Sequence, residues 1–327
     1  MYLVTGGAGM IGSNIVAELA AGGYEVTVCD WLREDERWRN LAKHDVADVI
    51  RPEALFEWLS GAAGALKGIV HMGAISATTE TDVDAIVRNN IRLTLDLWDW
   101  CAENRVPFIY ASSAATYGDG SAGFDDEFAC RALAALLPLN AYGWSKHFVD
   151  RRIARIVEAR GPTPPQWAGL KFFNVYGPNE YHKGSMKSVV AQNAERVAAG
   201  EPLRLFRSYR ADYGDGEQVR DFIYVKDAAR VAVWLLKNPQ VSGLFNLGTG
   251  QARSWLDLGR ALFAALEKSE AIEFVPMPEQ LRGKYQYHTE ARMDRLRAAG
   301  YDAPFTSLEG GVKDYVRNYL LRDDPYR

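Results

Sequence analysis

The glycine-rich stretch "VTGGAGMIG" near the start of the chain constrains the fold more than any other feature. Gly6, Gly9 and Gly12 recur at three-residue spacing between an apolar segment, "MYLVTG", and a helical pattern, "IGSNIVAELAAGG". Glycine at such positions permits a tight turn, lets backbone amides approach a pyrophosphate and lets the helix pack closely on the strand. The stretch therefore predicts a dinucleotide site at the N-terminus of the first helix.

The next strand, "YEVTVCD", ends in an acid that suits a ribose. Asp30 follows the glycine stretch by about 20 residues, where a ribose-binding carboxylate is usual. The segment "WLREDERWR" then adds Arg33, Arg37 and Arg39, and a guanidinium can bind a 2′-phosphate through two hydrogen bonds. Asp30 favours NAD and the arginines favour NADP. The residues alone leave both open, along with a simple solvent-facing charged loop.

Strand-like and helical segments alternate through the first half of the chain. "GIVHMGA", "PFIYASS" and "GLKFFNVYG" are separated by helical stretches, a pattern that predicts parallel βαβ units and an α/β, Rossmann-type doubly wound sheet. Beyond residue 175 the alternation loosens, which indicates a smaller α/β C-terminal substrate lobe. We predict a dinucleotide-binding domain of residues 1–173 plus about 222–250, and a lobe of about 174–221 plus 251–327. Ligands are expected between them, at the carboxyl ends of the strands.

Composition argues against several classes of protein. The 327-residue chain has a net charge of −4, without the basic stripe that nucleic acid requires. Its three cysteines are widely separated, which is typical of neither a zinc site nor a disulfide framework. No apolar run reaches the roughly 18 residues of a membrane span, and no export signal is recognisable. We expect a cytoplasmic protein without metal, membrane or nucleic-acid partners.

A second motif predicts catalysis. "YASSAATYGDG" ends a strand with two serines, and "AYGWSKH" places Tyr142 and Lys146 four residues apart on one face of a helix. A phenol titrates near pH 10, too high for a base at neutral pH, but a nearby ammonium and an oxidised nicotinamide stabilise the phenolate. Ser113 would bind the reacting hydroxyl, and Lys146 would also hold the nicotinamide ribose.

These motifs resemble the extended short-chain dehydrogenase/reductase superfamily. Over nearly the whole chain the resemblance is closer to the ADP-L-glycero-D-manno-heptose 6-epimerase family, within the NAD-dependent epimerases and dehydratases. The most specific matches are "GAISATTETD", "YASSAATYGDG", "FFNVYGPNEYHKGSM", "VRDFIYVKD", "FNLGTG" and "GKYQ".

The resemblance implies an isomerase that interconverts the two C6″ epimers of ADP-glycero-β-D-manno-heptose for lipopolysaccharide core synthesis. It implies NADP as the cofactor, with NAD as the alternative, and a homo-oligomer, a pentamer by family pattern. Hydride leaves C6″ and returns to the other face, so proton transfer at one oxygen is needed in two orientations.

The resemblance assigns the first acid/base to Tyr142 and the second to Lys183 of "YHKGS". The residues themselves leave the role of Lys183 open. A lysine in a loop beside anionic ligands can be a base, a charge clamp on phosphate or an ordinary surface charge. A base needs the pKa of its ammonium lowered by burial.

The resemblance also implies binding residues, position by position. Cofactor contacts are expected from Gly6, Gly9, Met10, Ile11, Gly12, Asp30, Trp31, Arg37, Met72, Gly73, Ala74, Ile75, Ser76, Asn89, Lys146, Val175 and Lys183. Substrate contacts are expected from Ser113, Asn174, Ser185, Gln192, Phe206, Arg207, Ser208, Arg220 and Tyr285. The guanidinium of Arg220 suits a diphosphate. Two alternatives stay open, an ion pair of Arg220 with Asp221 or Asp227 and a purely packing role for Tyr285.

The chain departs from the family pattern at several positions. Trp31 stands where the pattern has Asn, Pro52 where a basic cofactor contact is usual, and Gln192 where a substrate-binding His is usual. The connection from Cys130 to Leu139 is also lengthened.

The sequence leaves two rival functions open. One is a UDP-sugar 4-epimerase, because a fold alone does not select a substrate. The other is a non-catalytic dinucleotide-binding regulator, against which the combination of Ser113, Tyr142 and Lys146 counts. A 4,6-dehydratase would need an acid directly after Ser113, where the chain has "AAT".

Overall fold

The computed structural model of the protein describes residues 1–282 and 285–327, so Gly283 and Lys284 of the "GKYQ" segment lie outside the described residues. The strands are β1 (Tyr2–Thr5), β2 (Val26–Cys29), β3 (Asp48–Ile50), β4 (Ile69–His71), β5 (Phe108–Ser113), β6 (Trp167–Phe172), β7 (Asn174–Tyr176), β8 (Leu203–Phe206), β9 (Val219–Tyr224), β10 (Gly243–Leu247), β11 (Ala252–Ser254) and β12 (Ile272–Val275).

The helices are α1 (Met10–Ala21), α2 (Leu55–Ala62), α3 (Val83–Ile86), α4 (Leu93–Asn104), α5 (Cys130–Ala134), α6 (Ala141–Glu158), α7 (Val189–Ala198), α8 (Val225–Lys237), α9 (Trp255–Leu266), α10 (Glu279–Arg282), α11 (Asp294–Ala298) and α12 (Leu308–Tyr315). A π-helical segment, Val87–Arg92, joins α3 to α4 into one long helix. Short 3₁₀ turns occur at Glu36–Asn40 and Tyr181–Met186.

Within the described ranges the main sheet has seven strands in the order β10-β6-β5-β4-β1-β2-β3. Every pairing in it is parallel, and β1 lies between β2 and β4, the central strand. Parallel strands need crossover connections, and here helices provide most of them. The predicted Rossmann-type doubly wound sheet is confirmed.

Helices cover both faces of the sheet because successive strand side chains point to opposite sides. On one face Val4 of β1 packs in a core with Ile15 of α1 and Leu235 of α8. On the other face Leu3 packs with Trp98 of α4 and Ile153 of α6.

The rest of the chain forms smaller sheets. Strand β7 begins two residues after β6 ends and leaves the main sheet to pair with β9, which pairs in turn with β11. Strands β8 and β12 form a separate parallel pair. A third core, with Val190 of α7, Leu262 of α9 and Val312 of α12, lies around these strands. The chain therefore leaves the main sheet at its carboxyl edge, where ligands bind in open α/β folds.

No helix among residues 1–282 and 285–327 combines the length and the apolar character needed to cross a membrane.

Candidate active site

The turn between β1 and α1 forms a cradle that requires glycine. Gly6 has a φ of +64°, and a Cβ there would lie 2.6 Å from the backbone nitrogen of Gly73. A Cβ on Gly12 would collide with the carbonyl oxygen of Gly6. Gly9 caps α1 without a side-chain hydrogen bond, and the first helical turn carries no acid. The backbone amides at the start of α1 and the positive end of its helix dipole face this glycine turn. They fit the pyrophosphate of a dinucleotide.

Asp30 lies beside this cradle at the end of β2. Its carboxylate accepts hydrogen bonds from the backbone nitrogens of Ala8, at 3.0 Å, and Trp31, at 2.8 Å. Burial raises the pKa of Asp30, although those two bonds and nearby arginines oppose the shift. A cavity of about 560 Å³ opens next to it, lined by Asp30, Trp31, Leu32, Arg33, Val49, Ile50 and Arg51. This cavity is placed for the adenosine half of a dinucleotide.

Arg37 is already engaged within the protein. Its Nε and Nη2 form a two-pronged ion pair with the carboxylate of Asp35, with a shortest distance of 2.7 Å. The hydrogen bonds from Arg37 lower the pKa of Asp35. A cofactor phosphate would therefore compete with Asp35 for this guanidinium.

The start of α6 sets the position of Tyr142. Asn140 caps the helix by accepting a hydrogen bond from the backbone nitrogen of Gly143 at 2.8 Å. A Cβ on Gly143 would lie 2.7 Å from the carbonyl oxygen of Ala115, so glycine lets the helix rest against the turn that follows β5. This approach brings Tyr142 beside Ser113 at the end of β5, and the Ser113 hydroxyl acts to lower the pKa of the phenol.

The protein alone does not produce the expected lowering of the phenol pKa. Burial raises the pKa of Tyr142, and its hydrogen bond with Ser113 only partly opposes the shift. Burial also lowers the pKa of Lys146 to about 8, with Asp150 opposing. Desolvation therefore outweighs the opposing influence at each group, which is Ser113 at Tyr142 and Asp150 at Lys146.

The buried ammonium of Lys146 fits a cofactor that supplies hydrogen-bond acceptors. Lys146 is 3% exposed, and its ammonium has no hydrogen-bond partner among the residues that the structure describes. Ribose hydroxyls would provide the acceptors that a buried ammonium requires.

A buried charged network that joins α6 to β5 and β6 was not predicted from the sequence. The carboxylate of Asp150 accepts hydrogen bonds from Tyr110 at 3.1 Å and Ser112 at 2.7 Å, and it lies 3.2 Å from the ammonium of Lys171. Lys171 also donates to the hydroxyl of Thr116 at 2.6 Å. One signal was available, because Asp150 follows Lys146 by four residues and so lies on the same buried helix face.

The segment Met72–Ser76 after β4 is held by a residue that the sequence analysis missed. Asn90 exchanges two hydrogen bonds with the backbone of Ile75, at 2.8 and 2.9 Å, and donates to Ser145 on α6 at 3.0 Å. The predicted contact, Asn89, instead donates to the carbonyl of Ala85 in its own helix at 2.8 Å.

Lys183 reaches the dinucleotide cradle. Its Nζ lies 3.0 Å from the sulfur of Met10, the first residue of α1. Burial lowers the pKa of Lys183, with Glu180 opposing. The neighbouring His182 is 3.5 Å from the amide of Asn40, and burial lowers its pKa to about 4. The turn that carries Lys183 therefore packs on the edge of the cradle, and the pKa of Lys183 is shifted in the direction that a base would need.

Arg220 is buried and forms no ion pair with the residues that the structure describes. It donates to the carbonyl of Val219 at 2.8 Å, and its guanidinium lies 5.0 Å from the ring of Tyr285. Asp221 instead accepts hydrogen bonds from the backbone nitrogens of three other residues, and Asp227 pairs with Arg230. Among the described residues, the alternative ion pairs of Arg220 are not formed. A desolvated guanidinium stacked on an aromatic ring is suited to a phosphate.

Tyr285 and Gln192, two other predicted substrate residues, are each held by hydrogen bonds within the protein. Tyr285 accepts a hydrogen bond from the indole of Trp255 at 2.9 Å and meets Phe206 edge to face. The amide of Gln192 donates to the carbonyls of Ser185 and Lys187, at 3.1 and 2.6 Å. Gln192 thus fastens the end of the 181–186 turn to α7.

The other predicted contacts lie nearer the surface. Asn174 is exposed at the start of β7, and Val175 beside it is partly buried. Both line a cavity of about 190 Å³ next to α7. Arg207 is exposed and donates to the carbonyl of Phe274 at 3.3 Å, and the backbone of Ser208 donates to Asp215 at 2.8 Å.

This combination of fold and site defines a Rossmann-type enzyme that uses a nicotinamide dinucleotide on a sugar nucleotide. A family model described as the NAD dependent epimerase/dehydratase family matches residues 2–248. The chain belongs to this family, which confirms the class of enzyme expected from the sequence.

Relatives of known name are similar over their full length. The ADP-L-glycero-D-manno-heptose-6-epimerase of Fusobacterium nucleatum is 46% identical over 335 positions that cover both chains completely. The crystal structure of the Helicobacter pylori ADP-L-glycero-D-manno-heptose-6-epimerase has a TM-score of 0.76 and 27% identity, covering 97% of this chain and 95% of that one. A Thermus thermophilus UDP-glucose 4-epimerase complexed with NAD has a TM-score of 0.73 and 27% identity, covering 96% and 97%.

Proposed function

We propose that the protein interconverts ADP-D-glycero-β-D-manno-heptose and ADP-L-glycero-β-D-manno-heptose by inverting C6″. The full-length relative from Fusobacterium nucleatum carries the name of that activity. The structural observation that supports the proposal is the position of two side chains that are able to transfer a proton. Tyr142 lies beside Ser113, which acts to lower its pKa, and Nζ of Lys183 lies 3.0 Å from the sulfur of Met10 at the edge of the dinucleotide cradle.

Two such groups suit an inversion through a ketone. The dinucleotide, when bound, accepts hydride from C6″ and returns it. Tyr142 takes the hydroxyl proton of one epimer while Ser113 holds the oxygen, and Lys183 takes the proton of the other epimer. Burial lowers the pKa of Lys183, so a larger fraction of its amine is neutral at working pH. Lys146 orients the nicotinamide ribose.

The substrate diphosphate is assigned to Arg220. Its buried guanidinium has no acidic partner in the described part of the chain and stacks on Tyr285. Ser185 and Asn174 lie at the exposed rim of the same lobe. The proposed lobe comprises residues of about 174–221 and 251–327, and the dinucleotide domain comprises the remainder.

NADP is the proposed dinucleotide. Arg33 and Arg51 line the cavity beside Asp30, and the carboxylate of Asp30 is already occupied by two backbone amides. Arg33 makes no ion pair with the residues that the structure describes, whereas Arg37 is held by Asp35. Arg33→Ala should therefore weaken NADP binding about tenfold or more and leave NAD binding nearly unchanged. Equal losses for both dinucleotides would contradict the assignment.

The proposed substrate is tested by incubating the purified protein with ADP-D-glycero-β-D-manno-heptose. The C6″ configuration is followed by NMR, first without and then with added dinucleotide. Appearance of the L-glycero epimer supports the proposal. No change with either NADP or NAD, together with turnover of UDP-galactose, would replace it with a UDP-sugar 4-epimerase.

A further inference from the structure

Residues 324–327 pack against the turn that carries Lys183. The side chain of Tyr326 is 7% exposed, and its ring meets that of Tyr181 nearly at right angles, with centroids 5.1 Å apart. The hydroxyl of Tyr181 donates to the carbonyl of Pro325 at 2.7 Å. From the other side, the guanidinium of Arg39 lies 4.5 Å from the centre of the Tyr326 ring. The segment is therefore fixed from two directions.

Arg327 connects this segment to the helix that begins at the dinucleotide cradle. Its backbone nitrogen donates to the side-chain oxygen of Asn179 at 2.9 Å, and Nη1 donates to Asn14 of α1 at 2.9 Å. Nη2 pairs with Glu18, one turn further along α1. Asn179 in turn donates to Ser13 at 2.9 Å. Arg327 thus lies where α1 meets the chain that leads into the 181–186 turn.

The side chain of Lys183 has few restraints of its own. In the described part of the chain, its only hydrogen-bonding contact is with the sulfur of Met10, and a sulfur is a weak acceptor. The following residue, Gly184, has a φ of +54°, which breaks the regular geometry of the turn. The backbone that leads into Lys183 is held from outside, because residues 324–327 contact Asn179 and Tyr181 just before it.

We propose that residues 324–327 are a positioning element for Lys183, with Arg327 aligning the 181–186 turn on α1. This inference rests on the acid/base role proposed above for Lys183. Proton transfer is sensitive to distance, and a misplacement of about 1 Å can cost about a hundredfold in rate. Arg327 acts through the turn and does not touch the reacting atoms.

The test compares Arg327→Ala with Arg322→Ala as a matched control. Arg322 is exposed just before the segment, and within the described part of the chain its side chain donates only to the carbonyl of Arg317, at 3.0 Å. For Arg327→Ala we expect kcat to fall about tenfold to a hundredfold while KM for the nucleotide sugar stays within about twofold. Amide hydrogen exchange across residues 179–187 should become about tenfold faster. Arg322→Ala should change neither readout.

A conservative variant separates alignment from general packing. Arg327→Lys keeps a cation that can reach one of the two acceptors on α1, so it should recover part of the lost kcat. The inference is overturned if Arg327→Ala keeps wild-type kcat, whether or not the turn exchanges faster.

Lys183→Met, measured in parallel, separates the positioning role of Arg327 from the acid/base role of Lys183. An inactive Lys183→Met beside a fully active Arg327→Ala removes this inference alone. A fully active Lys183→Met removes the proposed role of Lys183, and the positioning role with it.

Discussion

Replacing Lys171 with methionine should destabilise the protein strongly, because the change leaves a buried carboxylate without its counterion. The side chains of Lys171 and Asp150 are both 0% exposed and lie 3.2 Å apart. Removing one partner of a buried pair costs about 3–5 kcal/mol. Tyr110 and Ser112 would still donate to Asp150, so we expect a loss near the lower end, about 3 kcal/mol. The loss of the bond to Thr116 adds to it.

The measurement is the free energy of unfolding from urea titration, followed by fluorescence and circular dichroism together. Lys268→Met, at an exposed position, is the control and should change stability by less than about 0.5 kcal/mol. The double variant Lys171→Met/Asp150→Leu should recover only part of the loss, since it removes both charges but leaves the hydroxyls of Tyr110 and Ser112 without their acceptor. A Lys171→Met protein within about 1 kcal/mol of wild type would refute the reasoning, because it would mean that Asp150 does not need its counterion.

Two further predictions concern the reaction. Arg220→Ala should raise KM for the nucleotide sugar by about 30-fold or more, equivalent to about 2 kcal/mol for a charge-assisted contact, with a smaller change in kcat; steady-state kinetics check this, and an unchanged KM would remove the phosphate assignment. Glu180→Gln should move the ascending limb of the kcat/KM profile to lower pH. The Glu180 charge opposes the lowering of the Lys183 pKa, so its removal lets the neutral amine form at lower pH. A limb that stays in place or moves upward would contradict that coupling.

The local parts of the structure were predictable from the sequence. The three glycines, the strand before them and the helix after them are neighbours in the chain, so their spacing alone predicts the cradle. Tyr142 and Lys146 lie on one helix face for the same reason. The alternation of strands and helices predicts the parallel sheet, because such strands need crossover connections.

The parts that escaped prediction depend on residues far apart in sequence. Lys171 is paired with Asp150 across β6 and α6, and Arg327 with Asn14 across nearly the whole chain. Nothing in the local pattern around either residue selects its partner. The direction of the pKa shift at Tyr142 also needed the structure, since the sequence indicates a nearby lysine but not that burial raises the phenol pKa.

The role of Asn90 escaped prediction for a local reason. Asn90 holds the segment around Ile75, whereas the neighbouring Asn89, whose contact with the cofactor stays a prediction, bonds within its own helix. The π-helical turn at Val87–Arg92 shifts which side of the helix each residue occupies. Because this stretch does not follow the regular helical period, the period does not predict which side of the helix Asn89 and Asn90 occupy.

The most direct test of the two-base account is the turnover number of Lys183→Met, with bound dinucleotide and thermal stability measured on the same preparation. We expect kcat to fall by about two to four orders of magnitude while dinucleotide content and melting temperature stay at wild-type values. A wild-type kcat with a raised KM would contradict proton transfer by Lys183, and would make Lys183 a residue that binds the substrate without moving a proton.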